Sequence, residues 1–215
     1  MSAALVFAAA SLTPTARLRA RLATLEHPYV VAADGGAATA LHFGITPDLV
    51  LGDFDSLDAH TLESLNQRNI ATETYPRDKD ATDGQLAIER ALQAKPSELY
   101  LVGFLGGPRL DHALANILLL TRIDVPTVLL DESNECRLLP ARSEHTWRPE
   151  KPNETISLIP LTEHVSGVRT RGLRWPLDDA TLYRGDTRGV SNEPSDDEVS
   201  VRIDEGLLLL ARHFV

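Results

Sequence analysis

The sequence predicts an α/β chain: an N-terminal doubly wound, mostly parallel sheet domain followed by a C-terminal antiparallel β domain with the pattern of a β-sandwich. Up to about residue 135 short apolar runs alternate with segments of helical periodicity, as in a parallel sheet with crossover helices. From about residue 140 the helical periodicity largely disappears and short strand-like runs follow one another.

In order, ALVFAA, YVVAAD, DLVLGD, IATETY, ELYLVG and PTVLLD read as the strands of the first domain. Several end on Asp or Gly, and ligands of open α/β sheets bind beyond the carboxyl ends of the strands. SEHTWRPEKPNE reads as a polar, proline-containing connector, and TISLIP, VSVRI and LLLLARHF as strands of the second domain. The opening MSAALVFAAAS lacks a positive n-region and reads as the first strand. No apolar run approaches the roughly 20 residues of a membrane span.

Of the 215 residues, 43% are hydrophobic, enough for one large or two small domains with a real core. A net charge of −10 is the reverse of a nucleic-acid binder's basic footprint, and nothing suggests a membrane surface. The single cysteine, Cys136, excludes an intramolecular disulfide framework and a multi-cysteine zinc cluster. It reads as an ordinary buried thiol in a reducing, cytoplasmic setting.

Three acidic groups carry candidate chemistry. In LVLGDFDSL, Asp53 and Asp55 leave a strand end together, one residue apart, as hard oxygen ligands suited to Mg²⁺. The same spacing also describes a solvated turn in which Asp55 or Ser56 caps the next helix. In YPRDKDATDGQLAIERAL, Thr82 and Gln85 form a capping box opening a helix whose Ala87, Ile88, Ala91 and Leu92 face inward. Asp80 and Asp83 at that terminus are explained either by the helix dipole or, with Lys79 between them, by a polyphosphate and its metal. In LVGFLGGPRLDHALANILLL, Gly106 and Gly107 allow close backbone approach, Arg109 suits phosphate oxygens, and His112 and Asn116 share a helical face. Asp111 as a helix cap and His112 as a surface histidine remain open. Asp34 before Gly35 and Gly36, and Ser191 with Asn192 in GVSNE, are further candidates at what are also common turns. Neither the phosphate-loop pattern nor the dinucleotide fingerprint is present.

Taken together, ADGGA, GITPDLVLGDFDSL, RDKDATD, GGPRLDHALANI, RGLRWPL and GVSNE, in this order and spacing, resemble the thiamine diphosphokinase family. The resemblance implies an α/β nucleotide-binding catalytic domain over 1–138 and a β-sandwich thiamine-binding domain over 139–215. It also implies a homodimer with the active site between subunits. Transfer of the diphosphate of ATP to the hydroxyl of thiamine, with Mg²⁺, is the implied reaction. Asp53, Asp55, Asp80 and Asp83 would be the catalytic and metal carboxylates. Asp34, Lys79, Thr82, Arg109, Asp111, His112 and Asn116 would bind ATP, and Ser191, Asn192 and Trp175 would bind thiamine. Three positions depart from the family pattern: Pro108 before Arg109, Gly84 early in its helix, and Ala8, Ala9 and Ala10 after the first strand. Two other activities fit parts of the sequence: a diphosphokinase for another alcohol such as a pterin, and a phosphohydrolase using the DxD pair. A non-catalytic nucleotide-binding module is a third reading.

Overall fold

In the computed structural model, which describes residues 2–10, 12–55, 57, 59–150 and 154–214, the six N-terminal apolar runs all become strands. These are β1 (Ala4–Phe7), β2 (Tyr29–Ala33), β3 (Leu49–Gly52), β4 (Ala71–Thr74), β5 (Leu99–Val102) and β6 (Thr127–Leu130). They pair in parallel in the order β4-β3-β2-β1-β5-β6. β1, β3, β5 and β6 are buried at every position, because helices cover both faces, whereas the edge strand β4 is largely exposed. Between the strands run α1 (Ala16–Ala23), α2 (Gly36–His42), α3 (Ala59–Gln67), α4 (Asp83–Leu92) and α5 (Leu110–Leu119).

The strand order sets where a ligand can bind. The chain winds outward from β1 to β4, then returns to place β5 on the other side of β1, so the winding reverses between β1 and β5. Adjacent loops there diverge and open a crevice at the carboxyl edge. The helix that makes the return, α4, packs on β1, β2 and β3. It buries Ala87, Ile88 and Ala91 of its predicted inner face, with Leu92 at the margin.

The chain divides into two units after Glu132, ahead of the boundary expected at position 138. The reason is that NECRLL forms β7 (Asn134–Leu139), which pairs antiparallel along β13 (Leu208–Phe214) and so belongs to the second unit. That unit also holds β8 (Ser143–Trp147), β9 (Glu154–Pro160), β10 (His164–Arg171), β11 (Ala180–Tyr183) and β12 (Val199–Ile203). β7, β13 and β9 form one antiparallel layer, and β11-β10-β12-β8 the other. Their alternating inward residues, among them Ile156, Leu158, Val165, Val199, Val201 and Leu208, make a common sandwich core. SEHTW, expected in a connector, is instead β8, in register with β12 from Ser143 opposite Ile203 to Trp147 opposite Val199. Its polar residues hid a strand that needs only Trp147 for the core. Among the described residues no helix is long and apolar enough to cross a membrane.

One charged cluster is buried in this unit. Arg212 on β13 donates to Glu154 through Nε (2.7 Å) and Nη2 (3.1 Å), and to Glu135 on β7 at 3.3 Å. Trp147 Nε1 and the Glu150 amide also donate to Glu154, each at 2.9 Å. Burial pushes the Glu154 carboxyl up, but the Arg212 hydrogen bonds and charge outweigh it and hold it below its ordinary value. Glu154→Gln leaves Arg212 undercompensated and should cost about 3–5 kcal/mol in urea unfolding. Because the folded value is depressed, the contribution is full above the unfolded value of 4.5. It should fade as pH falls through the folded value, and the variant should show a flatter acid limb than the parent.

Candidate active site

At the crevice, β2 and β3 deliver the carboxylates. Asp34 follows β2 in a left-handed conformation (φ 46°), its N–H donating to Leu51 O at 2.8 Å. β3 ends on Gly52, where a Cβ would meet Asp34 Cβ at 3.0 Å. Glycine is thus what lets the two strand ends bring Asp34 and Asp53 together. Asp53 Oδ1 accepts from the Asp55 amide at 3.1 Å, closing a turn. This backbone hydrogen bond, with lesser help from Lys79 and Arg77, holds the Asp53 carboxyl below its ordinary value. Oxygens of Asp34, Asp53 and Asp55 lie within 4.8 Å of one another, a separation that one hard cation closes with small rotations. α3 begins at Ala59, so Asp55 is not at its N-cap position, and Ser56 lies outside the described residues.

The N-terminus of α4 forms a second wall. Thr82 is its N-cap and accepts from the Gln85 amide at 3.2 Å, while the Gln85 side chain turns to Glu89 at 2.8 Å instead of completing the capping box. Lys79 Nζ, mostly buried, sits 3.2 Å from Asp83 Oδ1 and donates to Pro76 O at 3.1 Å. This buried Asp83 oxygen has charge contact with Lys79 but no hydrogen bond among the described residues. Asp80 is exposed and stands outside both this pair and the acidic trio.

The third wall is the β5–α5 turn. Gly106 and Gly107 both have φ 76°, which bends the chain over the crevice. Arg109, at the N-cap position of α5, grips Asp111 through two hydrogen bonds of 2.9 and 2.6 Å. Asp111 is therefore not the cap, and the Arg109 guanidinium lowers its carboxyl to about 2. Asn116 Nδ2 donates to Phe104 O at 2.8 Å, and His112 is exposed at the rim. The Phe104 ring accounts for Gly84: a Cβ there would lie 3.1 Å from Phe104 Cε1.

These walls enclose a cleft of about 430 Å³, within the usual range for a small-molecule site. Asp34, Asp53, Lys79, Thr82, Asp83, Arg109, His112 and Asn116 line it, as do Ala8, Ala9 and Ala10. Arg77 and Phe104 are among the lining residues not singled out from the sequence. Arg77 Nη1 lies 3.8 Å from Asp55 Oδ2, and a cation inside the carboxylate-rich RDKDATD run was its available signal. A separate pocket of about 500 Å³ in the second unit brings Trp175, Ser191 and Asn192 together with Leu158 and Leu177.

Comparison with known proteins agrees with this layout. The family model "Thiamin pyrophosphokinase, catalytic domain" matches residues 21–129, and "Thiamin pyrophosphokinase, vitamin B1 binding domain" matches residues 144–208. The chain belongs to the thiamine pyrophosphokinase family. A thiamine pyrophosphokinase of Bacillus subtilis is 30% identical over 192 residues, covering 88% of this chain and 89% of that protein. The crystal structure of the Bacillus subtilis enzyme superposes with a TM-score of 0.87 at 26% identity, covering 99% of each chain. That of the Geobacillus thermodenitrificans protein gives 0.84 at 29% identity, covering 100% of this chain and 98% of the other. Apart from Ala8, Ala9 and Ala10, the residues lining the cleft lie within the catalytic-domain match, and the second pocket's Trp175, Ser191 and Asn192 lie within the vitamin B1 binding match.

Within this family member the Gly84–Phe104 contact is a local solution with a measurable consequence. Gly84→Ala should press on the Phe104 ring and raise the KM for ATP several-fold with a modest loss of Tm. Adding Phe104→Leu should recover most of the KM.

Proposed function

We propose that this chain is a Mg²⁺-dependent thiamine diphosphokinase that moves the diphosphate of ATP onto the hydroxyl of thiamine, releasing AMP. The observation that carries the reading is a cleft with clustered carboxylates, Lys79 and Arg109 at the switch point of a parallel sheet, in a chain whose two halves match the catalytic and vitamin B1 binding models. A pterin diphosphokinase leaves the vitamin B1 binding match without a role, and a DxD phosphohydrolase expects its motif after the first strand, not after β3.

The residues fit a divalent cation. Asp34, Asp53 and Asp55 would hold it, and the hydrogen-bond-deficient Asp83 oxygen faces the same cleft. This set puts Asp34 among the ligands and leaves Asp80 at the surface. A divalent cation held by these carboxylates would supply charge neutralisation to the phosphate chain. Lys79 and Arg109 take up the remaining negative charge, and the α4 N-terminus adds its dipole. The hydroxyethyl oxygen of thiamine attacks the β-phosphorus, and the bond to the α-phosphate-bearing AMP breaks. Phosphoryl-type transfer depends mainly on such positioning and charge stabilisation, so one of these aspartates suffices to accept the hydroxyl proton.

The protein is further proposed to be a cytoplasmic homodimer, extending the family resemblance to an active site shared by two subunits. α5 supports self-association: Leu110, Leu114 and Leu118, one turn apart on a single face, are 80%, 55% and 50% exposed. Cys136, buried and outside any disulfide, suits a reducing compartment.

Purified protein given ATP, Mg²⁺ and thiamine should yield AMP and thiamine diphosphate in equal amounts by chromatography. ADP, free phosphate or indifference to thiamine would instead indicate another acceptor or a hydrolase. Asp53→Ala and Asp55→Ala should each lower turnover by at least about 10³-fold with an unchanged Tm, and near-normal activity in either would remove the metal assignment. Leu114→Glu should sediment as a monomer where the parent sediments as a dimer.

A further inference from the structure

The second pocket is built around a chain crossing whose hydrogen bonds assign its side chains different tasks. Asn192 is fixed to the edge of β9 by a pair of 2.8 Å backbone bonds with Ile156. Next to it, Leu173 bridges Pro194, and the Arg174 N–H donates to Glu193 O at 2.8 Å. The Asn192 side chain closes this crossing. Its Oδ1 accepts from the Trp175 amide at 3.1 Å and from the Glu193 amide at 2.9 Å, while its Nδ2 donates to Trp175 O at 2.7 Å. An amide oxygen has two acceptor sites and the NH₂ two donors, so only one N–H remains for anything else.

Ser191 is placed differently. It adopts a left-handed conformation (φ 62°), anchored by its N–H to Ser157 Oγ at 3.1 Å. Its own hydroxyl has no partner among the described residues. Left-handed backbone at a non-glycine residue is uncommon and marks a side chain whose direction is being enforced.

Trp175 completes the arrangement. The Arg174 guanidinium stacks 4.7 Å from the indole centroid and is itself paired with Glu193 at 2.9 Å. One face of the ring thus carries a neutralised cation, and the residue is still 52% exposed, which leaves the other face for a planar heteroaromatic ligand.

We infer that Asn192 is a positioning residue that locks Trp175 through its backbone, and that Ser191 presents the polar group to the ligand. This rests on the reading of the pocket as the thiamine side of the site. Asn192 then acts on thiamine affinity only through Trp175, with no part in the diphosphate chemistry.

The test compares Asn192→Ala, Asn192→Asp, Trp175→Ala and the double variant Asn192→Ala with Trp175→Ala, by steady-state kinetics and by acrylamide quenching of tryptophan fluorescence in the ligand-free protein. Trp147, the other tryptophan, is only 9% exposed, so quenching reports mainly on Trp175. Asn192→Ala should raise the thiamine KM about ten-fold, leave kcat and the KM for ATP within about two-fold, and increase quenching. Asn192→Asp keeps both acceptor bonds but sets an oxygen against Trp175 O in place of the donor, so it should recover only part of both effects, and it carries the comparison if the alanine variant does not fold. Loss of Asn192 should add nothing to Trp175→Ala. Additive KM effects, or a raised thiamine KM with unaltered quenching, overturn the inference by making Asn192 a direct ligand. An unchanged thiamine KM in Trp175→Ala would overturn the reading of the pocket itself, a failure separable because the quenching change in Asn192→Ala would persist.

Discussion

Like charges do not gather at close range without a counter-charge, and the organisation of the cleft follows from that constraint. Oxygens of Asp34, Asp53 and Asp55 fall within 4.8 Å of one another, an arrangement that costs folding energy unless cations offset it. The fold supplies part of the offset. The Asp55 backbone N–H, with lesser help from Lys79 and Arg77, lowers the Asp53 carboxyl, Lys79 leans on Asp83, and Arg109 lowers the Asp111 carboxyl. These cations are also what a polyphosphate needs, so the groups that offset the carboxylate cluster are equally suited to phosphate oxygens.

The buried ion cluster of the sandwich unit and the charged cleft of the α/β unit meet the cost of polar groups differently. In the sandwich unit Arg212, Glu154 and Glu135 are buried with their hydrogen bonds satisfied, and they tie β13, β7 and β9 into one layer. In the α/β unit the functional charges stay at the sheet edge, and at least one buried oxygen, on Asp83, is left short of hydrogen bonds. Complete satisfaction is a structural solution, whereas incomplete satisfaction beside a cleft is the usual mark of a binding site.

The inner parallel strands were legible because a strand buried on both faces must be an uninterrupted apolar run, as in LVLG and TVLL, while the exposed edge strand β4 lies within the run IATETY. The strands that escaped were β7, β8, β10 and β11, each with one face open to polar residues, so that SEHTW looked like linker until Trp147 was seen in the core. The same difference moved the unit boundary, since NECRLL reveals itself as a strand only through its partner β13. In the site, Asp53, Asp55, Lys79 and Arg109 were readable from local motifs. Arg77 and Phe104 were not, because their contribution depends on segments far away in sequence that fold against them.

The sequence by itself determined the fold class, the acidic character, the order of the motifs and the reaction class they resemble, because hydrophobic periodicity and motif spacing are local properties of the chain. Only the tertiary structure decided which carboxylates converge. Asp34 and Asp53 come together because parallel pairing of β2 and β3 aligns their carboxyl ends and Gly52 clears the space between them. Asp80, close to Asp83 in sequence, is left at the surface, since proximity along a chain does not orient two side chains the same way. Asn192 changed meaning for the same reason: its amide could have faced a ligand, but the crossing that seats Trp175 already engages it.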